Sequence, residues 1–444
     1  VFLTRAKLSF LWTSFFVIFD HNATGFLNSP PMRYIYLLIS ILLVTSCDTS
    51  SQFESDEDYL SVFADSLYQS HLDSGHLAGG AILVVKGQEI LLNKGYGQAN
   101  IEFDVPMPND ASFEIGSVTK QFTAAAILRL VDNGKISLQD DLTKYVNFDT
   151  KGREIPIRML LNHTSGFMGY TEIPEFWELT KLKMERDTLL RLVESHDFLF
   201  EPGEAMSYNN TAYFILGLII EAASDTTYEA FLQEQFFDPL GMDNTYYCSE
   251  TIVRKKKASG YDLTPGGLNQ KGYIDHTWPY AAGSLCSTTE DLLKWMTALH
   301  SGQVLNSELY ELLITPDTLN DGTPMRYAKG LSNYIDNGHS RLSHGGGIPG
   351  FLSDARYYPE DDLYVVSLVN TSGPYGGSYF ADQLTWQVLQ KKEPTSLEME
   401  SGLEQYSGTY SGNVGGREMQ ISVSFIADAM IVKPGEEEPD TLRV

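Results

Sequence analysis

Strand-like segments stand at both ends of residues 59–392, and the long stretch between them has the spacing of helices. At the near end, residues 81–85 and 90–92 are short apolar runs parted by Lys86-Gly87-Gln88-Glu89, the pattern of a tight hairpin. A second hairpin pattern lies far along the chain, where 355–358 and 363–369 flank Pro359-Glu360-Asp361-Asp362. Leu60, Phe63 and Leu67 give residues 59–71 helical spacing, and residues 380–389 read as a helix after the second hairpin. This order predicts one α+β domain over 59–392. Its antiparallel sheet is built from both ends of the segment and flanked by helices, with a largely helical region inserted. After a break at 393–399, residues 406–410, 419–425 and 430–433 alternate like short strands. Residues 393–444 are therefore expected to be a short β-rich C-terminal segment, the opening of a domain that the chain does not complete.

Composition narrows the partners. The chain has 31 Lys and Arg against 58 Asp and Glu, a formal net charge of −27. That argues against nucleic acid, whose phosphates need clustered cations, and against a polybasic membrane surface. Cys47, Cys248 and Cys286 are the whole cysteine complement, too few for a four-Cys zinc site or a disulfide scaffold. Cys248 and Cys286 are open to two readings, a disulfide or two free thiols.

The N-terminal residues read as targeting. Met32-Arg33 leads into an apolar run over 34–46 that ends at Cys47. The run is shorter than the ~20 residues that a spanning helix needs, and the layout is that of a signal peptide over 32–47. Val44-Thr45-Ser46-Cys47 resembles a bacterial lipobox, which implies lipidation of Cys47 and a lipid-anchored protein of the bacterial cell envelope, periplasmic or outer-surface. An uncleaved anchor or a chance cysteine is the other reading. Residues 1–31 are read as an over-extended start, with a membrane hairpin as the rival, and the acidic stretch 48–58 as a tether.

Three patterns carry chemistry. Ser117-Val118-Thr119-Lys120 is an S-x-x-K that opens a helical pattern through Phe122, Ala126, Ile127, Leu130 and Val131, ending at Gly134. Residues three apart share a helix face, ~5–6 Å apart at Cβ, so Lys120 is placed beside the Ser117 hydroxyl. A desolvated lysine can shed its charge and serve as a base. Alone, the pattern is more often a helix-capping serine with a surface lysine. Tyr208-Asn209-Asn210 follows, a Y-x-N between Glu201-Pro202-Gly203 and an apolar helix over 212–223. His344-Gly345-Gly346 is third, an H-x-G expected on an edge strand just before Ile348-Pro349-Gly350-Phe351.

With these patterns in this order, the chain resembles the penicillin-recognising serine hydrolases: class C β-lactamases, D-Ala-D-Ala carboxypeptidases and family VIII esterases. Leu160-Leu161-Asn162-His163-Thr164-Ser165-Gly166, Pro239-Leu240-Gly241-Met242 and Ala282-Gly283-Ser284-Leu285 with a helix over 289–299 fit as well, and the resemblance covers 59–392. It implies a β-lactamase/transpeptidase-like fold and an acyl-enzyme on Ser117. Lys120 and Tyr208 would share the general-base role, Asn210 would orient substrate and Lys120, and His344 would stand where the family has the Lys of K-T-G. The backbone N–H groups of Ser117 and Gly347 would form the oxyanion hole. Gly345 and Gly346, lacking Cβ, would let substrate lie against the strand. No metal or organic cofactor is needed, and the partner is a small-molecule or peptide substrate.

Departures from the family pattern shift the expected activity. His344 replaces a permanent cation with a group whose charge depends on pH. That weakens the case for β-lactam hydrolysis and favours an esterase or a D-amino-acid peptidase. A class C-like β-lactamase is the alternative, and a non-catalytic penicillin-binding sensor the second. Intact Ser117, Lys120 and Tyr208 argue against the sensor. Asn209, in the middle of the Y-x-N, is expected to matter little. His163 reads as a turn-stabilising residue rather than a catalytic one. Phe167, Tyr170, Phe176 and Trp177 could wall a cleft or fill the core.

Overall fold

The two hairpins meet in one sheet. The computed structural model describes residues 56–249, 251–389, 407–414, 417–426, 429–434 and 440–443. The signal peptide, the lipidation site at Cys47 and the start-site reading all lie outside the described residues. Helix α1 (Asp56–Asp73) buries Leu60, Ala64 and Tyr68, one side chain per turn of a single face. Strands β1 (Gly79–Lys86) and β2 (Glu89–Asn100) then pair antiparallel around Gly87-Gln88. The remaining sheet strands are β3 (Val105–Pro106), β4 (Ser332–Asp336), β5 (His339–Ile348), β6 (Phe351–Tyr358) and β7 (Leu363–Val369). Their order is β3-β2-β1-β7-β6-β5-β4, so β1 from one end of the domain lies against β7 from the other.

Strands β1 and β7 are apolar almost without interruption because both faces of the sheet are covered. Side chains alternate between faces along a strand. Ala81, Leu83 and Val85 accordingly join Val366 and Leu368 in the larger core, which includes the helical insertion. Ile82 and Val84 join Val365 and Val369 in a second core with Leu60, Ala64 and Tyr68 of α1. Phe380, Ala381 and Leu384 of the helix Gly377–Val388 complete that second core.

In the insertion, helix α2 (Thr119–Asp132) is buried on all sides from Thr119 to Leu128 and packs on helix α3 (Asn210–Ser224). The insertion is less purely helical than its spacing predicts. It contributes to two three-stranded sheets: Phe113–Glu114, Leu285–Ser287 and Tyr246–Tyr247 form one, and Thr371–Ser372, Tyr261–Thr264 and Gly267–Gln270 the other. Strands of two to four residues are too short to show a period. Cys248 and Cys286 are joined in a disulfide that links the first of these sheets, with their Cα atoms 5.2 Å apart. The C-terminal strands Gly408–Val414, Arg417–Ile426, Ala429–Pro434 and Asp440–Arg443 form an antiparallel four-stranded sheet. Among the described residues, no helix is long and apolar enough to cross a membrane.

Candidate active site

Ser117 sits in a single 3-10 turn, Gly116–Val118, that runs straight into α2. Three bonds hold this turn. The Ile115 N–H donates to the Leu285 carbonyl at 2.9 Å, the Leu285 N–H donates to Thr119 Oγ1 at 3.1 Å, and the Ser353 hydroxyl donates to the Ile115 carbonyl at 2.7 Å. Gly116 has a φ of +50°, and a Cβ there would lie 2.9 Å from the Gly347 nitrogen. Conformation and space both require glycine at that position.

Lys120, one turn into α2, is fully buried. Its Nζ lies 3.0 Å from Ser117 Oγ, 2.8 Å from Asn210 Oδ1 and 2.7 Å from the Ala282 carbonyl oxygen. No carboxylate pairs with it among the described residues. Burial therefore pushes its pKa well below the ordinary lysine value. The three neighbours suit a neutral amine. Two carbonyl oxygens can only accept, so they take its two N–H bonds. The lone pair is left facing Ser117 Oγ, ready to take the hydroxyl proton.

Tyr208 stands on the other side of this pair. The Lys120 Nζ is 4.8 Å from its ring centroid. The residue is 36% exposed, and its hydroxyl engages the Ser117 side chain. Burial raises the phenol above its usual value, and the hydrogen bond with Ser117 opposes that rise. Asn209 is the N-cap of α3. Its Oδ1 accepts the Ala212 N–H at 3.0 Å, and its amide donates to the Phe167 carbonyl at 2.6 Å. Its own N–H donates to His163 Nδ1 at 3.0 Å, so the middle residue of the Y-x-N anchors the loop that carries Tyr208. His163 sits in a left-handed turn at φ +63°. Its carbonyl accepts the Ser207 N–H at 3.0 Å.

His344 lies on β5 and is buried. Its Nδ1 is 2.5 Å from the Gly345 carbonyl oxygen and its Nε2 is 3.0 Å from the Tyr327 hydroxyl. A carbonyl only accepts, so Nδ1 carries the hydrogen and Nε2 accepts from Tyr327. Burial and then the nearby Lys120 push the His344 pKa down to about 4, which keeps the ring neutral. The Y-x-N tyrosine is not its partner; the two ring centroids are 6.0 Å apart. Strand β4 pairs with β5 only from His339 to Ser343, so the edge opens beyond Ser343, where the H-x-G begins. A Cβ on Gly346 would collide with the Ile115 carbonyl oxygen and the Ser353 hydroxyl. The space it leaves is thus filled by the turn that carries Ser117 and not held for a substrate. Gly345 would take a Cβ in ordinary contact.

A cleft of about 590 Å³ opens over Ser117, Asn210 and Gly347. Tyr170, Phe176 and Trp177 line it, Tyr170 and Phe176 from within the core, whereas Phe167 belongs to the core and does not line the cleft. Sequence reasoning missed the Ala282 carbonyl and Tyr327. The first acts through its backbone, which its residue type does not reveal. The second has no motif around it.

The fold and this constellation define a β-lactamase-like serine hydrolase. The beta-lactamase family model matches residues 64–390, and the chain belongs to that family. It is 30% identical over 318 residues to penicillin-binding protein 4* of Bacillus subtilis, covering 67% of this chain and 69% of that protein. Protein flp of Staphylococcus aureus is 26% identical over 358 residues, covering 78% and 70% respectively. The octameric penicillin-binding protein homologue of Pyrococcus abyssi superposes with a TM-score of 0.67 at 26% identity, covering 86% of this chain and 89% of that one.

Proposed function

We propose that the protein hydrolyses an ester or amide through an acyl-enzyme on Ser117. The observation that carries this is the buried Lys120, held by two acceptors with its third contact on the Ser117 hydroxyl. Lys120 takes the Ser117 proton as Oγ attacks the carbonyl carbon. The negative oxygen is received by the N–H groups of Ser117 and Gly347. The intermediate then expels the alcohol or amine, which leaves with a proton passed through Tyr208. Water releases the acid and restores Ser117. Asn210 orients Lys120 and lines the cleft.

An esterase or D-amino-acid peptidase is the leading form. A family Lys at the His344 position would offer a fixed cation to a substrate carboxylate, and His344 is neutral and already engaged with Tyr327. A β-lactamase is the second reading, and the Bacillus subtilis relative, named as a penicillin-binding protein, supports only that a penicillin can be bound. Purified protein treated in parallel with a fluorophosphonate and a labelled penicillin decides whether Ser117 acylates. A short-chain uncharged ester is expected to show a higher kcat/KM than a cephalosporin at mildly alkaline pH. Labelling of folded protein by neither reagent would leave the sensor reading, and a cephalosporin ahead of the ester would leave the β-lactamase.

The proposal includes a cell-envelope location with a lipid on Cys47. The signal-like run over 32–47 supports it, as does the Cys248–Cys286 disulfide, which persists in oxidising compartments. The protein expressed in a bacterium is expected to incorporate labelled palmitate, and Cys47→Ser to abolish that. Labelled Cys47→Ser protein would refute the anchor.

A further inference from the structure

Among the described residues, the walls of the cleft carry one acidic side chain, Asp262, and no Lys, Arg or His. Ile274, Pro279, Ile348, Pro349 and Leu352 supply apolar surface around it. Asp262 is part-buried there. Asp262 is fixed but has no cation. The Gly272 N–H donates to its Oδ2 at 2.9 Å, and the Gly350 N–H, shared with Ser372 Oγ at 2.7 Å, donates to its Oδ1 at 3.1 Å. The lysines on the same side, Lys257 and Lys271, pair with the buried Glu114. None of the ion pairs among the described residues involves Asp262.

Its place relative to the chemistry follows from the β5–β6 turn. The Gly347 backbone abuts Gly116, and Gly350 is three residues further on. Three residues span at most roughly 10 Å. Asp262 and Ser117 therefore line one cleft, their separation bounded by that span and by the contacts at its two ends.

We infer that Asp262 is the subsite for a positively charged group on the substrate. The preferred acyl donors are then esters or amides with an apolar body and an ammonium at the end that reaches along the cleft to Asp262. This rests on the acyl-enzyme reading of Ser117. The two backbone donors hold the carboxylate in one orientation, so little ordering is needed when an ammonium docks. Substrates with a carboxylate at that end meet a like charge and no cation, which selects against them.

The test is kcat/KM for three aryl esters that share one acyl chain, ending in a methyl, an ammonium or a carboxylate. Parent protein, Asp262→Asn and Asp262→Lys are compared at low and high salt. The parent is expected to rank ammonium over methyl over carboxylate, the first step being on the order of tenfold at low salt and shrinking at high salt. Asp262→Asn is expected to remove that tenfold step, and Asp262→Lys to reverse the ranking. The inference is overturned if the parent shows no preference for the ammonium ester, or if the preference survives Asp262→Asn. The parent ranking stands as a test even if a variant does not fold. Turnover of the methyl ester through Ser117 without the ranking would sink the subsite alone, while failure of all three esters to acylate Ser117 would sink both readings.

Discussion

Ser117→Ala is expected to lower kcat for any ester the protein turns over by a factor on the order of 10⁴ or more. A nucleophile and its base act as a unit, so removing one strips nearly all the rate that both supply. What remains is the rate that the cleft and the backbone N–H groups give an unassisted water. The fold should survive the change. Lys120 keeps its bonds to Asn210 and Ala282, and the turn keeps its bonds through Ile115, Leu285 and Thr119, none of which uses the Ser117 side chain. Thermal unfolding of the variant should therefore lie within a few degrees of the parent, and the mass shift on fluorophosphonate treatment should vanish. Turnover by the folded variant within about a hundredfold of the parent would place the nucleophile elsewhere.

Much of this site was legible because helix geometry turns sequence spacing into distance. Ser117 and Lys120 needed only the three-residue interval and the apolar stripe of α2 to be placed together. The sheet was legible for a related reason. Each hairpin is local, and two apolar strands buried on both faces must be covered by something on each side. The parts that were not legible depend on long-range contact. The expected substrate groove along Gly345 and Gly346 is an example. Gly346 lacks a side chain because the Ile115 carbonyl presses on it, and nothing near residue 346 signals that residue 115 will arrive. Tyr327, which donates to His344 Nε2, lies 17 residues from it on a segment with no motif. The two small sheets escaped because strands of two to four residues leave no pattern.

His344 shows how a residue's type can suggest more than its surroundings allow. Its type predicts a charge that depends on pH, and a free imidazole near pKa ~6.5 would titrate in the working range. Buried beside Lys120, it does not. Its two nitrogens are committed to Gly345 and Tyr327, so it neither bonds Tyr208 nor faces the cleft. Among the described residues, the charged side chain on the cleft wall is that of Asp262.

Lys120→Arg separates two roles that the geometry alone would let Lys120 play. As a cation, Lys120 would only stabilise the Ser117 alkoxide, and arginine would keep a large part of that. As a base it must give up its charge, which arginine does not do in proteins. The surroundings favour the base: no carboxylate pairs with Nζ among the described residues, and burial lowers its pKa well below 10.5. Lys120→Arg is therefore expected to lose on the order of 10³ or more in kcat/KM, about as much as Lys120→Met. The pH dependence carries the same sign. Lowering the pH protonates Nζ, removes the lone pair that faces Ser117 and stops acylation, so kcat/KM falls on the acid side. Because burial lowers the pKa, the plateau should begin well below the pH at which an ordinary lysine loses its proton. The ester must have no ionisable group of its own. The acid limb should then be absent from whatever activity the arginine variant retains. An arginine variant within tenfold of the parent, or one with an unmoved acid limb, would show that the proton goes to another group and leave Lys120 as a charge that positions Ser117.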